Sequence, residues 1–329
     1  MNRRVPETIQ ITNRDCNFDR YIPDPSKLGN GGQNEHQGYV FEIKDGGSLS
    51  NCIIGARPGT KGSAHGVLCD GDCDINNVWF EDVGEDALNF NGDSDDCVYN
   101  VNGGGARNGE DKVMQFDGKG TLNVNNYYVS YTYYLANDSS FERARRAESN
   151  DIEILDLPKS TIYVKSLSNQ VGSRRFWCHS TQLDELFRMS YHLYKFSSIR
   201  FYAPVVLGSV SRSNQVDNYV RFCRSCGNCG DQHQRHIVIT NLTAVHGQAG
   251  QFVCGVNSNY QDTCTLHDIK MEKGIHPCKV FDGNSDGSEP TSNNDEEDHG
   301  DGTFCIYKKG DIKYIGSKPK PKSKKSAKN

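Results

Sequence analysis

The sequence contains no run of 18 or more apolar residues, and its hydrophobic fraction is only 35%. A membrane-spanning helix needs about 20 such residues, so none is expected. Cationic excess is missing too. The formal net charge is −5, which argues against a general nucleic-acid binder. The first residues, MNRRVPETIQITNRDC, lack the apolar stretch of a secretory leader. A chain this poor in apolar residues but carrying 33 glycines suits turns and short strands better than a helical bundle.

The 13 cysteines point to an oxidising compartment. Cys69/Cys73, Cys226/Cys229 and Cys254/Cys264 sit as pairs. Zinc is the competing reading for Cys223, Cys226 and Cys229, but no second C-x-x-C or His pair accompanies them. Disulfides are the expectation, in a secreted protein whose leader lies outside this sequence.

Segments along the chain resemble one another: SLSNCIIGA at 48–56, DINNVWFED at 74–82, CVYNVNGGGA at 97–106 and TLNVNNYYV at 121–129. Later ones are IVITNLTAV at 237–245 and TLHDIKME at 265–272. Asn51, Asn77, Asn102 and Asn126 recur at separations of 26, 25 and 24 residues. Each unit alternates apolar residues, bends at an Asn and resumes as a short strand. This repeat predicts a parallel β-helix, with each Asn in a left-handed bend and its amide bonded to the next coil. A β-sandwich with coincidental Asn turns is the other reading.

Residues 129–215 break the pattern. They hold only two glycines, a helix-like LDELFRMSYHLYKF at 183–196, the basic Arg143–Arg146, a sequon at Asn137, and Cys178, the candidate unpaired cysteine. Joining Tyr128 to Val216 restores a continuous repeat. Val129-Ser130 can be encoded as GTA-AGT and Gln215 as CAG, which resemble splice borders. Translated intron is therefore one expectation for 129–215, and an inserted subdomain acting as a substrate lid is the other. The β-helix is expected over 1–128 and 216–312, and a basic disordered tail over 313–329. Asn241-Leu242-Thr243 is a second sequon. The acidic stretch at 282–302 reads as a solvated loop, with a calcium loop as the alternative.

The densest chemistry lies at 73–112. Glu81-Asp82 and Glu85-Asp86 follow a short apolar strand, and Asp111-Lys112 follows the run Gly103 to Gly105. Carboxylates gathered at one place stay ionised together only beside a cation. Oxygen ligands of this kind suit Ca²⁺, and a neighbouring lysine can serve as a base. A solvated acidic turn is the plain alternative.

GVLCDGDCDINNVWFEDVGEDALNF, NGGGARNGEDKVMQFDGKGTL and RSCGNC, in that order, resemble polysaccharide lyase family 3, the pectate lyases of fungi, oomycetes, bacteria and nematodes. The likeness covers roughly 8–128 and 216–311. It implies an all-β fold, a right-handed, single-stranded parallel β-helix of the pectin-lyase-like kind, here with an irregular insert. It also implies Ca²⁺-dependent β-elimination of (1→4)-α-D-galacturonan to 4,5-unsaturated oligogalacturonates. Polygalacturonate or pectin of plant cell walls is then the expected partner, without nucleic acid or membrane, and the chain is expected to be monomeric.

Carried over by motif, Glu85 and Asp86 match calcium carboxylates, and Glu35 and Asp111 match further acidic metal-site residues. Lys112 matches the base, and Arg224 the arginine on the substrate carboxylate. Arg221 stands where the family has a lysine. One departure matters: His65 replaces the family's aspartate ligand and Leu68 its histidine, and imidazole is a poor Ca²⁺ ligand. Asp70 and Asp72 are near in sequence as substitutes. Glu81, Asp82, Trp79, His233, His236 and His246 read as structural. Asp95-Asp96 is the extra carboxylate pair a hydrolase would require. A lyase-like protein that binds pectin or calcium without turnover is the alternative to an active enzyme.

Overall fold

In the segment TLNVN, Leu122 and Val124 are buried while the residues between them are not. A period of two is what a half-buried strand imposes, because successive side chains point to opposite faces. The computed structural model describes residues 1–57, 60, 62–109, 111–130, 221–247, 250–292 and 300–316. All of these belong to one unit, Met1–Ser149 with Gln215–Asn329.

The strands stack in three parallel faces. The first comprises Asn2–Val5, Arg20–Pro23, Ile53–Ile54, residues 78–80, residues 104–107, Tyr128–Ser130, Thr243–Val245, Ile269–Glu272 and Ile312–Ile315. The second runs from residues 13–15 through 48–50, 73–76, 98–102, Gly120–Asn125, Arg235–Thr240 and Thr263–His267 to Cys305–Ile306. The third holds residues 9–11, residues 39–43, His65–Cys69, Leu88–Phe90, Lys112–Phe116, Arg221–Ser225, Phe252–Asn257 and His276–Asp282. The chain visits third, second and first face in turn and then starts the next coil. This is a parallel β-helix. Among the described residues there is no α-helix, only two short 3₁₀ turns. None of them is in a helix long and apolar enough to cross a membrane.

The core is built from side chains in register. Leu49, Ile75, Val101, Val124, Ile239 and Leu266 pair successively up the second face, and each is at most 1% exposed. Each such side chain contributes about 1.5–3 kcal/mol by burial.

The bends follow the predicted logic with one correction. Asn51, Asn77, Asn126 and Asn241 have φ between 52° and 60°, in the left-handed region. Asn102 does not: it pairs with Asn76 within the strand Val98–Arg107, and Gly103 (φ 68°) makes that bend. Asn77 Nδ2 donates to Asn51 Oδ1 (3.0 Å), and Asn241 Nδ2 to Asn126 Oδ1 (2.8 Å). The nitrogen of the Asn241 sequon is therefore engaged in the ladder.

Five disulfides join Cys16–Cys52, Cys69–Cys73, Cys226–Cys229, Cys254–Cys264 and Cys278–Cys305. The three pairs expected from spacing form, and the zinc reading falls with them. Setting Cys178 aside leaves an even number, but they do not all pair: Cys97 and Cys223 are buried thiols. Cys223 stacks between Met114 and Cys254.

Val129 and Ser130, read from sequence as the start of the insert, complete a strand opposite Ala106-Arg107 and Ala244-Val245. The chain next appears at Arg221, on the third face. Most of 129–215, with Cys178, Asn137, the basic run and the helix-like segment, lies outside the described residues. Ile312–Ile315 pairs with Ile269–Glu272, so residues 313–315 form the last rung and not the tail, and 317–329 lie outside the described residues. Of the acidic stretch, 293–299 also lie outside. In its described part Asn284, Asp286 and Ser288 bond one another.

Candidate active site

Every predicted site residue comes from a connection between the first and third faces or from a third-face strand. Glu35 lies in the connection at 24–38, Glu85 and Asp86 in that at 81–87, and Asp111 in that at 108–111. Lys112, Arg221 and Arg224 lie on the following strands. Register does the rest. Lys112 sits opposite Arg221, and Tyr39 opposite His65. Leu68, Asn89, Gln115 and Arg224 form a parallel row three residues further along. Adjacent strands lie about 4.8 Å apart, so coils of unequal length still deliver these side chains to one surface.

Lys112 is the hub. Its Nζ donates to Asp111 Oδ2 (2.5 Å) and Glu85 Oε1 (3.1 Å), and lies 3.7 Å from Asp86 Oδ1. Burial opposes its charge, but Asp86, Asp111 and Glu85 outweigh that and hold its pKa well above the ordinary lysine value. Asp111 also accepts from Arg221 Nη1 (2.8 Å). Burial pushes Asp111 up, yet Lys112 and Arg221 overcome it and the carboxylate stays below its usual range. Asp86 goes the other way. Burial, only partly offset by Lys112, raises it well above an ordinary aspartate. Asn89 Nδ2 donates to Asp86 Oδ2 (3.0 Å). Arg224 is buried over the Phe281 ring at 4.9 Å, with Nε unpartnered. Desolvation, aided by Arg221, pushes its guanidinium down to about 10.

His65 joins the cluster with Glu85 and Asp86. It is buried beside Tyr39, with Nδ1 3.4 Å from Glu85 Oε2. Glu35 is exposed and reaches the site through its main-chain oxygen, 3.3 Å from His65 Nε2. Neither neighbouring aspartate joins the cluster. Asp70 pairs with Lys44 (2.9 Å), and Asp72 accepts from the Val98 amide. Glu81 pairs with Arg20, and Trp79 is fully buried against Ile53. His236 bonds Thr263 and His246 bonds Ser130, away from Lys112. Asp95 and Asp96 are exposed on another connection.

Sequence reasoning missed Asn89, Gln115 and Phe281. Counting one residue past the stacked Leu88, Met114 and Cys223 would have placed Asn89 and Gln115 beside Arg224. Phe281 stands on the third-face strand two coils further on, and only the fold brings it under the guanidinium.

The structure is a parallel β-helix with acidic, lysine and arginine side chains converging at one face. The chain belongs to the pectate lyase family, whose family model matches residues 1–136 and 208–288. Pectate lyase H of Emericella nidulans is 29% identical over 273 residues, covering 82% of this chain and 65% of the relative. Probable pectate lyase F of Aspergillus terreus is 26% identical over 290 residues, covering 88% and 83%. The chain spans 65% and 59% of the length of two curated relatives, the second being probable pectate lyase D of Emericella nidulans. The fold resembles the catalytic domain of pectate lyase PelI from Erwinia chrysanthemi, with TM-score 0.55 and 18% identity over 96% of this chain and all of that one. PelI in complex with tetragalacturonic acid gives TM-score 0.53 at 17% identity, over 95% and 70%.

Proposed function

We propose that the chain is a secreted, metal-dependent pectate lyase that cleaves (1→4)-α-D-galacturonan by β-elimination, leaving 4,5-unsaturated oligogalacturonates. The observation that carries this reading is the placement of Lys112 Nζ between Glu85, Asp86 and Asp111, with Arg221 and Arg224 on the adjoining strand.

Lys112 takes the proton from C5 of a galacturonate. The electron pair shifts to form the C4–C5 double bond, the C4–O bond breaks, and the departing oxygen gains a proton from water. Asp111 holds Lys112 and Arg221 in fixed relation. Arg224, desolvated and with an unused Nε–H, meets the substrate carboxylate. Lys112 becomes an effective base only when another cation offsets Glu85 and Asp86, because these carboxylates keep it protonated. Glu85 and Asp86 fit such a cation: both are buried, and Asp86 Oδ1 is an orphaned acceptor. A bound dication would supply charge that acidifies C5 through the substrate carboxylate. The oxygens suit the expected Ca²⁺, with Asp111 and the Glu35 rim beside them, but the His65 imidazole does not.

Ultraviolet absorbance of the unsaturated product, measured on polygalacturonate with and without chelator, tests this. Reducing ends without absorbance would point to a hydrolase. Binding without either signal would favour the impaired, lyase-like reading, for which His65 is the specific motive. We further infer that the insert beyond the Val129-Ser130 rung, up to about residue 215, is translated intron, since the strands on either side belong to consecutive coils. A mature transcript containing the whole stretch would overturn that.

A further inference from the structure

Glu85 shows its two oxygens to different neighbours. Oε1 accepts from Lys112, whereas Oε2 faces His65 Nδ1 at 3.4 Å. The other ring nitrogen fixes what Nδ1 can be. Nε2 lies 3.3 Å from the main-chain oxygen of Glu35. A carbonyl only accepts, so Nε2 carries the hydrogen and the neutral ring keeps its lone pair on Nδ1. That lone pair faces a carboxylate oxygen, and Nδ1 has no hydrogen-bond partner. Asp86 Oδ1 has none either. His65 and Asp86 are each 3% exposed, so bulk water does not serve them. The donor atoms of His65, Glu85 and Asp86 all lie within 4.8 Å of one another. Two orphaned atoms and one lone-pair repulsion thus converge on one point.

We propose that His65, Glu85 and Asp86 supply one nitrogen and two oxygen ligands to a divalent transition metal of the Mn²⁺-to-Zn²⁺ series, and that His65 turns this site away from Ca²⁺. Calcium takes roughly six to eight oxygen ligands, whereas imidazole suits the first-row dications. The Glu35 carbonyl on Nε2 is the outer partner that orients a ligating histidine. Lys112 keeps Glu85 Oε1, and the contact the ion would take over is the longer one, 3.7 Å, between Lys112 Nζ and Asp86 Oδ1. Asp117 with Cys226 and Cys229 is the other described group with metal-ligand spacing, but its sulfurs are joined to each other. The proposal rests on the lyase reading only for its relevance to catalysis.

The test titrates the full chain with Co²⁺ alone and Ca²⁺ alone, by calorimetry and by the visible absorption of bound Co²⁺. His65→Asp and His65→Asn are titrated alongside. The wild type is expected to bind Co²⁺ at least about tenfold more tightly than Ca²⁺, with His65→Asp losing that preference and gaining Ca²⁺ affinity. His65→Asn, close in size, should lose Co²⁺ affinity while staying folded. An unchanged order of affinities in His65→Asp would overturn the proposal. So would an imidazole spectrum that shows His65 doubly protonated and indifferent to Co²⁺. The elimination assay is read separately. His65-dependent Co²⁺ binding without elimination would sink the lyase reading alone, and elimination with His65-independent binding would sink this one alone.

Discussion

Two buried charge clusters lie on this β-helix, and they differ in how completely they are satisfied. Arg235 is fully buried, and its guanidinium donates to Gly118 O, Asp117 O, His233 O and Gln232 Oε1. Asp262 accepts from the Arg235 amide, Ser225 and Asn257. One acceptor there, Asn257 Oδ1, lacks a partner. Around Lys112, by contrast, His65 Nδ1, Asp86 Oδ1, Asn89 Oδ1, Gln115 Oε1 and Arg224 Nε are all unpartnered. Buried polar atoms are nearly always hydrogen-bonded, so five without a hydrogen bond in one cluster set it apart from the Arg235 cluster, although Lys112 Nζ lies 3.7 Å from Asp86 Oδ1. The Arg235 cluster closes on itself and holds a turn.

Substitutions should separate the two. Lys112→Ala is expected to lower the elimination rate by about 10²- to 10⁴-fold, the usual worth of a positioned base. Arg235→Met should leave the activity of each folded molecule unchanged but cost about 3 kcal/mol of stability, since it strands three carbonyls and removes the cation that favours the Asp262 carboxylate, whose bond to the residue 235 amide is kept. Denaturant unfolding beside the rate assay reads both. If Arg235→Met destroyed activity without loss of stability, the division between the clusters would fail.

Asp86→Asn sharpens the contrast. The folded-state pKa of Asp86 is raised, so the folded protein binds this proton more tightly than the unfolded chain. Its contribution to stability is present below the ordinary aspartate pKa, about 3.9, and is lost as pH rises through the folded value. At neutral pH the buried carboxyl is therefore a burden, and Asp86→Asn should gain about 1 kcal/mol while losing activity. The gain should vanish in acid. A thermal-melt series against pH checks it, and a variant less stable at neutral pH would contradict the sign.

The fold was legible because alternation and Asn spacing are local signals of a repeating coil. The bend at Gly103 escaped the pattern because glycine reaches the left-handed region without an amide to announce it. The site was legible where its motifs were contiguous, as in Glu85-Asp86 and Asp111-Lys112. Asn89, Gln115 and Phe281 were not, since their roles arise from register between coils separated by many residues. His65 was visible as a departure, but its role depends on the Glu35 carbonyl, which only the folded connection at 24–38 brings to Nε2.

The Asn ladder is a third polar set, half-buried at Asn51 and Asn77 and exposed at Asn126 and Asn241, and its energetics should be the mildest. Asn241 sits at φ 52° and donates to Asn126. Asn241→Ala forces a Cβ residue into the left-handed region without that amide, which should cost about 1 kcal/mol. Asn241→Gly regains the backbone freedom and should fall within a few tenths of a kcal/mol of wild type. Comparing the two by denaturant midpoint separates the bend from the bond: equal losses would assign the stabilisation to the amide contact, whereas a smaller loss in glycine assigns it to backbone conformation. Neither change should move the elimination rate, because this bend opens the first face and the Lys112 cluster lies at the start of the third.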